Sequence, residues 1–237
     1  MQKSRQLASN GFVIVPDLLA AQECTHFADM AKRGVSGSGG TRSLLGQDWC
    51  RSLAAHLHQH VLLAPLLRPD FLAVQCTYFE KSASHNWLVA VHQDLSIPVA
   101  RRIEHPALSG WSEKEGGLFV QAPAELLAQM LAVRLHLDDC TKNDGPLRVI
   151  PGSHLMGKIS AEAASAIRLS STEFVCSAAR GSVMVMRPLL LHASSKSTGV
   201  SMRKVLHFLF GPPNLPFGLR WQDAAKPSNP YRFTHAA

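Results

Sequence analysis

The residues best suited to chemistry are a short triplet, His92-Gln93-Asp94, and a distant histidine, His192. In an extended strand, positions i and i+2 project to one face, so His92 and Asp94 look the same way while Gln93 looks the other. An H-x-D alone is weak evidence for a metal site, because such triplets arise by chance in surface turns that hold a hydrogen-bonded histidine. A third ligand must come from elsewhere in the chain. His192 is the best candidate, since it ends the apolar run Leu189-Leu190-Leu191 that follows a strand-like segment, Ser182 to Met186. Two imidazoles and one carboxylate on one face of an octahedron leave three positions open, which suits a ferrous ion that must also take a bidentate cosubstrate and O2. Arg203 lies about one strand after His192, at the head of the apolar segment Val205 to Phe210. A guanidinium there can grip the far carboxylate of a diacid through two parallel hydrogen bonds. Triplet, histidine and arginine together are far more specific than any one of them.

Other polar residues carry weaker readings. His56 and His60 stand one helical turn apart and could share a metal, but no Glu or Cys follows to complete a site, so partly exposed helix histidines are the better reading. His154 ends the turn Pro151-Gly152-Ser153-His154 and is expected to pin that loop by hydrogen bonding. His136 and His207 fall in strands and either line a cavity or sit satisfied in the core. Arg148 and Arg187 are candidates for an anionic group of a substrate, or for pairing with an internal carboxylate such as Asp138 or Asp139. Arg42 follows the glycine-rich stretch Gly34 to Gly40, where a lid would fit. That stretch lacks GxxxxGK[ST], and no Gly-x-Ser-x-Gly elbow occurs, which weakens phosphate-cradle and serine-hydrolase readings.

The elements that must position these residues can be read in outline. Gly11 to Pro16 is a short buried strand closed by proline. Asp17 can cap the helix that follows, in which Cys24, Phe27 and Ala31 recur at helical spacing. Asp48 is expected to cap a second helix with Leu53, Leu57 and Val61 on one face. From residue 71 the pattern turns strand-like at Phe71 to Phe79, Trp87 to Asp94, Leu131 to Leu137, Leu147 to Ile150, Ser182 to Met186 and Val205 to Phe210. Arg134-Leu135-His136-Leu137-Asp138 alternates as a strand with one face inward would. Asn143-Asp144-Gly145-Pro146, Pro151-Gly152-Ser153 and Gly181 supply turns, and Pro123 opens a short helix through Met130. Many short strands without a βαβ rhythm predict a mainly β, jelly-roll architecture with flanking helices. One domain over 1–237 is expected, with helical support over about 1–70, a core over about 71–211 and a surface tail over 212–237.

Composition bounds the function classes. The chain has 237 residues, 46% hydrophobic and 17% charged, enough for one globular domain with its own core. A net charge of +7 leans toward an acidic partner. No run of five or six Lys/Arg and no reader motif occurs, so no nucleic-acid partner is expected and an anionic small-molecule substrate is favoured. Five cysteines without a CxxC pair support neither a disulfide scaffold nor a zinc ribbon. The apolar run Phe12 to Val15 is too short for a signal peptide, and no stretch approaches the roughly 20 apolar residues of a membrane span. A cytoplasmic protein with no membrane partner is the expectation.

The chain resembles the phytanoyl-CoA dioxygenase family from Gly11-Phe12-Val13 to about Trp221. The resemblance is carried by Asn86-Trp87 leading into His92-Gln93-Asp94-Leu95, by Trp111-Ser112 with Lys114, and by Arg134-Leu135-His136-Leu137-Asp138-Asp139. It continues through Gly145-Pro146-Leu147-Arg148-Val149-Ile150-Pro151-Gly152-Ser153-His154, Met186-Arg187-Pro188-Leu189-Leu190-Leu191-His192-Ala193-Ser194-Ser195 and Arg203-Lys204-Val205-Leu206-His207. What the resemblance implies is a cupin-like double-stranded β-helix and an Fe(II)- and 2-oxoglutarate-dependent dioxygenase that uses O2. It implies His92, Asp94 and His192 as iron ligands, Arg203 on the cosubstrate's C5 carboxylate, Ser194 as a helper and Trp111 as an aromatic beside the cosubstrate. Asp144 stands where relatives often carry Asn, and Leu209 where they often carry Glu, which touches the polarity around the site and not the triad. Relatives that halogenate have a small residue in place of the carboxylate, so Asp94 favours hydroxylation. The rivals are a catalytically silent jelly-roll protein that binds a metal or ligand, and a basic scaffold for acidic polymers. An intact triad with Arg203 argues against the first.

Overall fold

Period-two alternation, most of it after residue 71, builds two antiparallel sheets, and helices from the first 60 residues cover the outer face of the larger one. The computed structural model describes residues 1–34, 40–82, 85–199, 202–227 and 231. Helix α1 (Gln2–Asn10) leads into strand β1 (Phe12–Val15), then come α2 (Ala21–Arg33), the two-residue β2 (Gly40–Thr41) and α3 (Asp48–Gln59). Strands β3 (Leu72–Lys81), β4 (Val89–His92), β5 (Ser96–Val99), β6 (Ser109–Lys114) and β7 (Gly117–Gln121) precede the short helix α4 (Ala124–Gln129). The rest runs β8 (Leu131–His136), β9 (Leu147–Val149), α5 (Ala161–Ser170), β10 (Phe174–Cys176), β11 (Val183–Met186), β12 (His192–Ser194) and β13 (Arg203–Gly211).

Six strands form one sheet in the order β1-β11-β8-β13-β3-β2, and four form the facing sheet, β10-β9-β12-β4. A third sheet, β5-β7-β6, flanks them. This is the mainly β jelly roll, a double-stranded β-helix with flanking helices. Along β3, β8 and β13, successive side chains part to opposite faces. Cys76, Tyr78, Val133, Leu135, Leu206, Phe208 and Phe210 pack with Phe27, Leu53 and Leu57 of α2 and α3 into the larger core cluster. Thr77, Phe79, Lys81, Arg134, Arg203 and His207 instead line a cavity on the other face.

Several sequence expectations are corrected. Asp17 does not cap α2: its φ is +53°, and the helix starts at Ala20, whose N–H donates to the Glu23 carboxylate at 2.6 Å. Asp48 is the first residue of α3, not its cap, and Val61 lies beyond the helix and is 76% exposed, so only Leu53 and Leu57 form the buried stripe. The strand expected over Trp87 to Asp94 is confined to Val89–His92. Helices α1 and α5 and the third sheet were not expected. Residues 212–227 run along the surface but are anchored to the fold: Leu219 and Trp221 are buried in the second core cluster, and Ala225 bridges Ala73 of β3. Most of the glycine-rich stretch, residues 35–39, lies outside the described residues.

Candidate metal centre

His92 ends β4 and His192 begins β12, and the two are direct cross-strand partners. That pairing brings together side chains a hundred residues apart. Asp94 follows just past β4, where its N–H donates to the Pro188 carbonyl at 2.9 Å. Gln93 points the other way and is buried. It donates to the carbonyls of Gly157 and Leu189, each at 2.7 Å, and accepts from the Ile159 N–H at 2.8 Å. The middle residue of the triplet therefore straps the H-x-D segment to the loop that delivers His192.

The imidazoles are oriented by their own backbone. Nδ1–H of His92 donates to the Ala90 carbonyl at 2.8 Å, and Nδ1–H of His192 to the Leu190 carbonyl at 2.9 Å. A carbonyl can only accept, so each ring carries its proton on Nδ1 and presents an Nε2 lone pair. Those Nε2 atoms stand 3.8 and 3.7 Å from the two oxygens of Asp94, too far for hydrogen bonds. One ligand atom from each of the three residues lies within 4.8 Å of the others. Burial pushes the Asp94 carboxyl up, but His192, His207, His92 and Arg134 outweigh it and hold the group below its ordinary value. Two imidazoles, each with Nε2 turned to the same point, and a carboxylate, open on one side, fit a ferrous ion. Calcium or magnesium calls for oxygen ligands, and structural zinc for a closed tetrahedron.

The three residues lie on a cavity of about 420 Å³ between the two large sheets. Arg203, 3% exposed, enters it from β13. Its Nη1 donates to the Gly145 carbonyl at 2.7 Å while its Nε is buried without a partner among the described residues, as an arginine waiting for a carboxylate would be. Ser194 Oγ donates to the same carbonyl at 2.8 Å and accepts from Lys81 Nζ at 2.7 Å. Gly145 must be glycine: its φ is +62°, and an added Cβ would stand 2.5 Å from the Ser195 carbonyl. Lys81 also donates to the Ser195 carbonyl at 2.6 Å. Burial, then Arg203 and Arg134, push its ammonium down to about 8. These groups suit the distal end of a dicarboxylate.

The remaining candidates separate by strand face. Arg42 lines the cavity and pairs with Glu115 at 3.0 Å. Arg148 does not: it lies between the inward residues Leu147 and Val149 of β9 and turns outward to Glu173, at 2.7 Å. Arg187 donates to the Ala128 carbonyl at 3.0 Å, and Trp111 stands under the Arg102 guanidinium, 5.3 Å from the ring centre. Among the described residues that line the cavity, Arg148, Arg187 and Trp111 are absent. His154 pins its loop through Nε2–H to the Ala8 carbonyl at 3.1 Å. His207 lines the cavity with Nε2 3.9 Å from Asp94, and burial pushes it down to about 4, so it is neutral. His136 is buried behind it, pushed down to about 3 by burial and by Arg134 and Arg203. Lys81 and Arg134 were not singled out in the sequence. Their signal was alternation, with Lys81 sharing a face with Thr77 and Phe79, and Arg134 with His136.

The family model described as phytanoyl-CoA dioxygenase (PhyH) matches residues 7–205. No curated protein matches the chain in sequence. Among solved structures, the epimerase SnoN from nogalamycin biosynthesis, in complex with Fe3+, alpha ketoglutarate and nogalamycin RO, is similar at 15% identity and a TM-score of 0.69, over 92% of this chain and 90% of that one. EctD from S. alaskensis is similar at 15% identity and 0.68, over 95% and 85%. HygX from Streptomyces hygroscopicus, with nickel and 2-oxoglutarate bound, is similar at 16% identity and 0.62, over 89% and 86%. At these identities the likeness is one of fold.

Proposed function

The chain belongs to the phytanoyl-CoA dioxygenase family, and on that premise we propose that it is an iron(II)- and 2-oxoglutarate-dependent oxygenase that hydroxylates an unactivated C–H bond of a small acidic molecule. The observation that carries the reading is the convergence of His92, Asp94 and His192, with ligand atoms within 4.8 Å, on a cavity that also holds Arg203. Bound there, iron and 2-oxoglutarate supply oxidation by O2, with the keto acid decarboxylated to succinate and CO2. The protein's contribution is position and environment. His92 and His192 present Nε2, and their Nδ1–H bonds to Ala90 and Leu190 keep the rings from turning. Arg203 holds the far carboxylate of the diacid, with Ser194 and Lys81 beside it.

Leu95, Ile97, Phe119 and Leu127 give the cavity its apolar wall, which excludes water and strengthens every charge contact within. Arg42 and Lys114 add positive charge to that cavity, which favours an acidic substrate. Asp94 supplies a carboxylate where halogenating relatives leave a gap, which favours hydroxylation. Solved structures of this fold include an epimerase and a carbocyclase by name, so the product is the point to test. The iron-loaded chain should form succinate from 2-oxoglutarate and convert a member of a panel of small acids into a product heavier by one oxygen atom. His92→Ala should lose succinate formation to background while keeping its circular-dichroism spectrum. Absence of both iron binding and succinate formation in the wild type would overturn the reading.

A further inference from the structure

Arg134 is a second buried arginine of the cavity. It lies in β8 between Met184 of β11 and His207 of β13, on the cavity face of the large sheet, and is 5% exposed. Its guanidinium lies over the Phe79 ring, 5.3 Å from the centre. Arg203 and Lys81, on the same face, each place a donor on the protein itself: Arg203 Nη1 on the Gly145 carbonyl, and Lys81 Nζ on Ser194 and the Ser195 carbonyl. Arg134 differs: among the described residues it makes no hydrogen bond or ion pair at all, and its Nε, like that of Arg203, is buried and unpartnered. The carboxylate whose charge reaches it is Asp94, which is committed to the metal. Burial, and then the charge of Arg203, push its guanidinium down to about 9. A buried cation with no counter-charge is among the costliest things a fold can hold, so its persistence points to an anion that arrives later.

We propose that Arg134 is a second guanidinium for the distal carboxylate of 2-oxoglutarate, so that two arginines rather than one hold that end of the cosubstrate. The inference rests on the oxygenase reading above. A carboxylate has about four lone-pair sites, enough to satisfy both guanidiniums. The cosubstrate is favoured over the primary substrate because Arg134 is buried on the same sheet face as Arg203, whereas Arg42 has a side chain 43% exposed and a partner of its own.

The test uses the full chain loaded with nickel(II), titrated calorimetrically with 2-oxoglutarate and with 2-oxobutanoate, which keeps the keto-acid head and lacks the distal carboxylate. Arg134→Met should weaken 2-oxoglutarate binding at least about tenfold while changing 2-oxobutanoate by no more than about twofold. Arg134→Lys should recover part of the loss. With no ligand present, Arg134→Met should melt a few degrees higher than wild type, because a buried unpaired charge has gone. Arg148→Met, which removes an outward arginine, should leave both affinities alone. Unchanged 2-oxoglutarate binding, or an equal loss for both acids, would overturn the proposal. A lower ligand-free melting temperature would too, by making Arg134 a structural residue. A wild type that binds nickel but no 2-oxoglutarate removes the oxygenase reading itself, and that result is separate because it does not involve the variant.

Discussion

The six-stranded sheet has two faces made by the same strands, and they do opposite things. Toward α2 and α3, strands β3, β8 and β13 present Tyr78, Val133, Leu135, Leu206, Phe208 and Phe210, all packed in one apolar cluster. Toward the cavity they present Lys81, Arg134, His136, Arg203 and His207, all but one less than a tenth exposed. Both histidines are held neutral by burial, so the positive charge of that face rests on one lysine and two arginines. The helix face supplies the burial that holds the fold. The cavity face spends some of that stability on cations kept dry for a ligand, the arrangement expected where activity and stability compete. Changes on one face should therefore move stability, and changes on the other should move binding.

The largest effect belongs to the helix face. Phe208→Ala removes a fully buried ring from the larger cluster and should cost about 3–5 kcal/mol of unfolding free energy, read from chemical denaturation. The fraction that stays folded should bind 2-oxoglutarate normally in the nickel-loaded protein. A large loss of affinity there would break the division between faces. Next in size is Arg203→Ala, which should raise the 2-oxoglutarate dissociation constant about 10- to 100-fold, as loss of charge-assisted hydrogen bonds does. Its unfolding free energy should change far less than that of Phe208→Ala. Equal destabilisation would make Arg203 a structural arginine and erase the comparison.

How much of this was legible in sequence depended on the range of the signal. His92 and Asp94 share a face by local geometry alone, and the run Leu189-Leu190-Leu191 marks His192 as entering from a buried strand. Arg148 shows the limit. Alternation tells that it opposes Leu147 and Val149, but not which of the two faces is the cavity, and that is fixed only when β9 pairs with β12. The same gap hid Lys81 and Arg134, although Arg134-Leu135-His136-Leu137 alternates plainly. The third sheet escaped because β5 is short and contains Pro98, and β6, on the other side of their shared partner β7, begins with Ser109-Gly110. The last buried segment escaped because the pairing of Ala225 with Ala73 and the burial of Trp221 are long-range events with no local period. Helix α5 did carry a signal, since Ser160 caps it by accepting the Ala163 N–H at 3.2 Å.

The smallest effect is a pH dependence, and it sharpens the comparison by isolating one cation of the cavity face. Burial and two neighbouring arginines hold Lys81 at about 8 in the folded chain, against about 10.4 for an unfolded lysine. Below the folded value the ammonium is charged in both states, and the folded state bears the full cost of keeping it dry. Between the two values the folded chain releases that proton first, the unfolded chain binds more protons, and the cost shrinks as pH rises. Above the unfolded value it is gone. Lys81→Met has no such group, so its unfolding free energy minus that of the wild type should be most favourable below about pH 8 and fall steadily toward pH 10.4. Taking the difference cancels the buried cysteines, whose thiols burial pushes up and whose ionisation in the unfolded chain works in the opposite direction over the same range. The ammonium also donates to Ser194 and to the Ser195 carbonyl; those bonds favour the charged form and oppose the downward shift, so the slope reads the net of burial and bonding. Denaturation of both proteins across that range, without metal or cosubstrate, reads the slope directly. A flat difference would mean that Lys81 is not a strained cation and that the cavity face carries less stored cost than its burial implies.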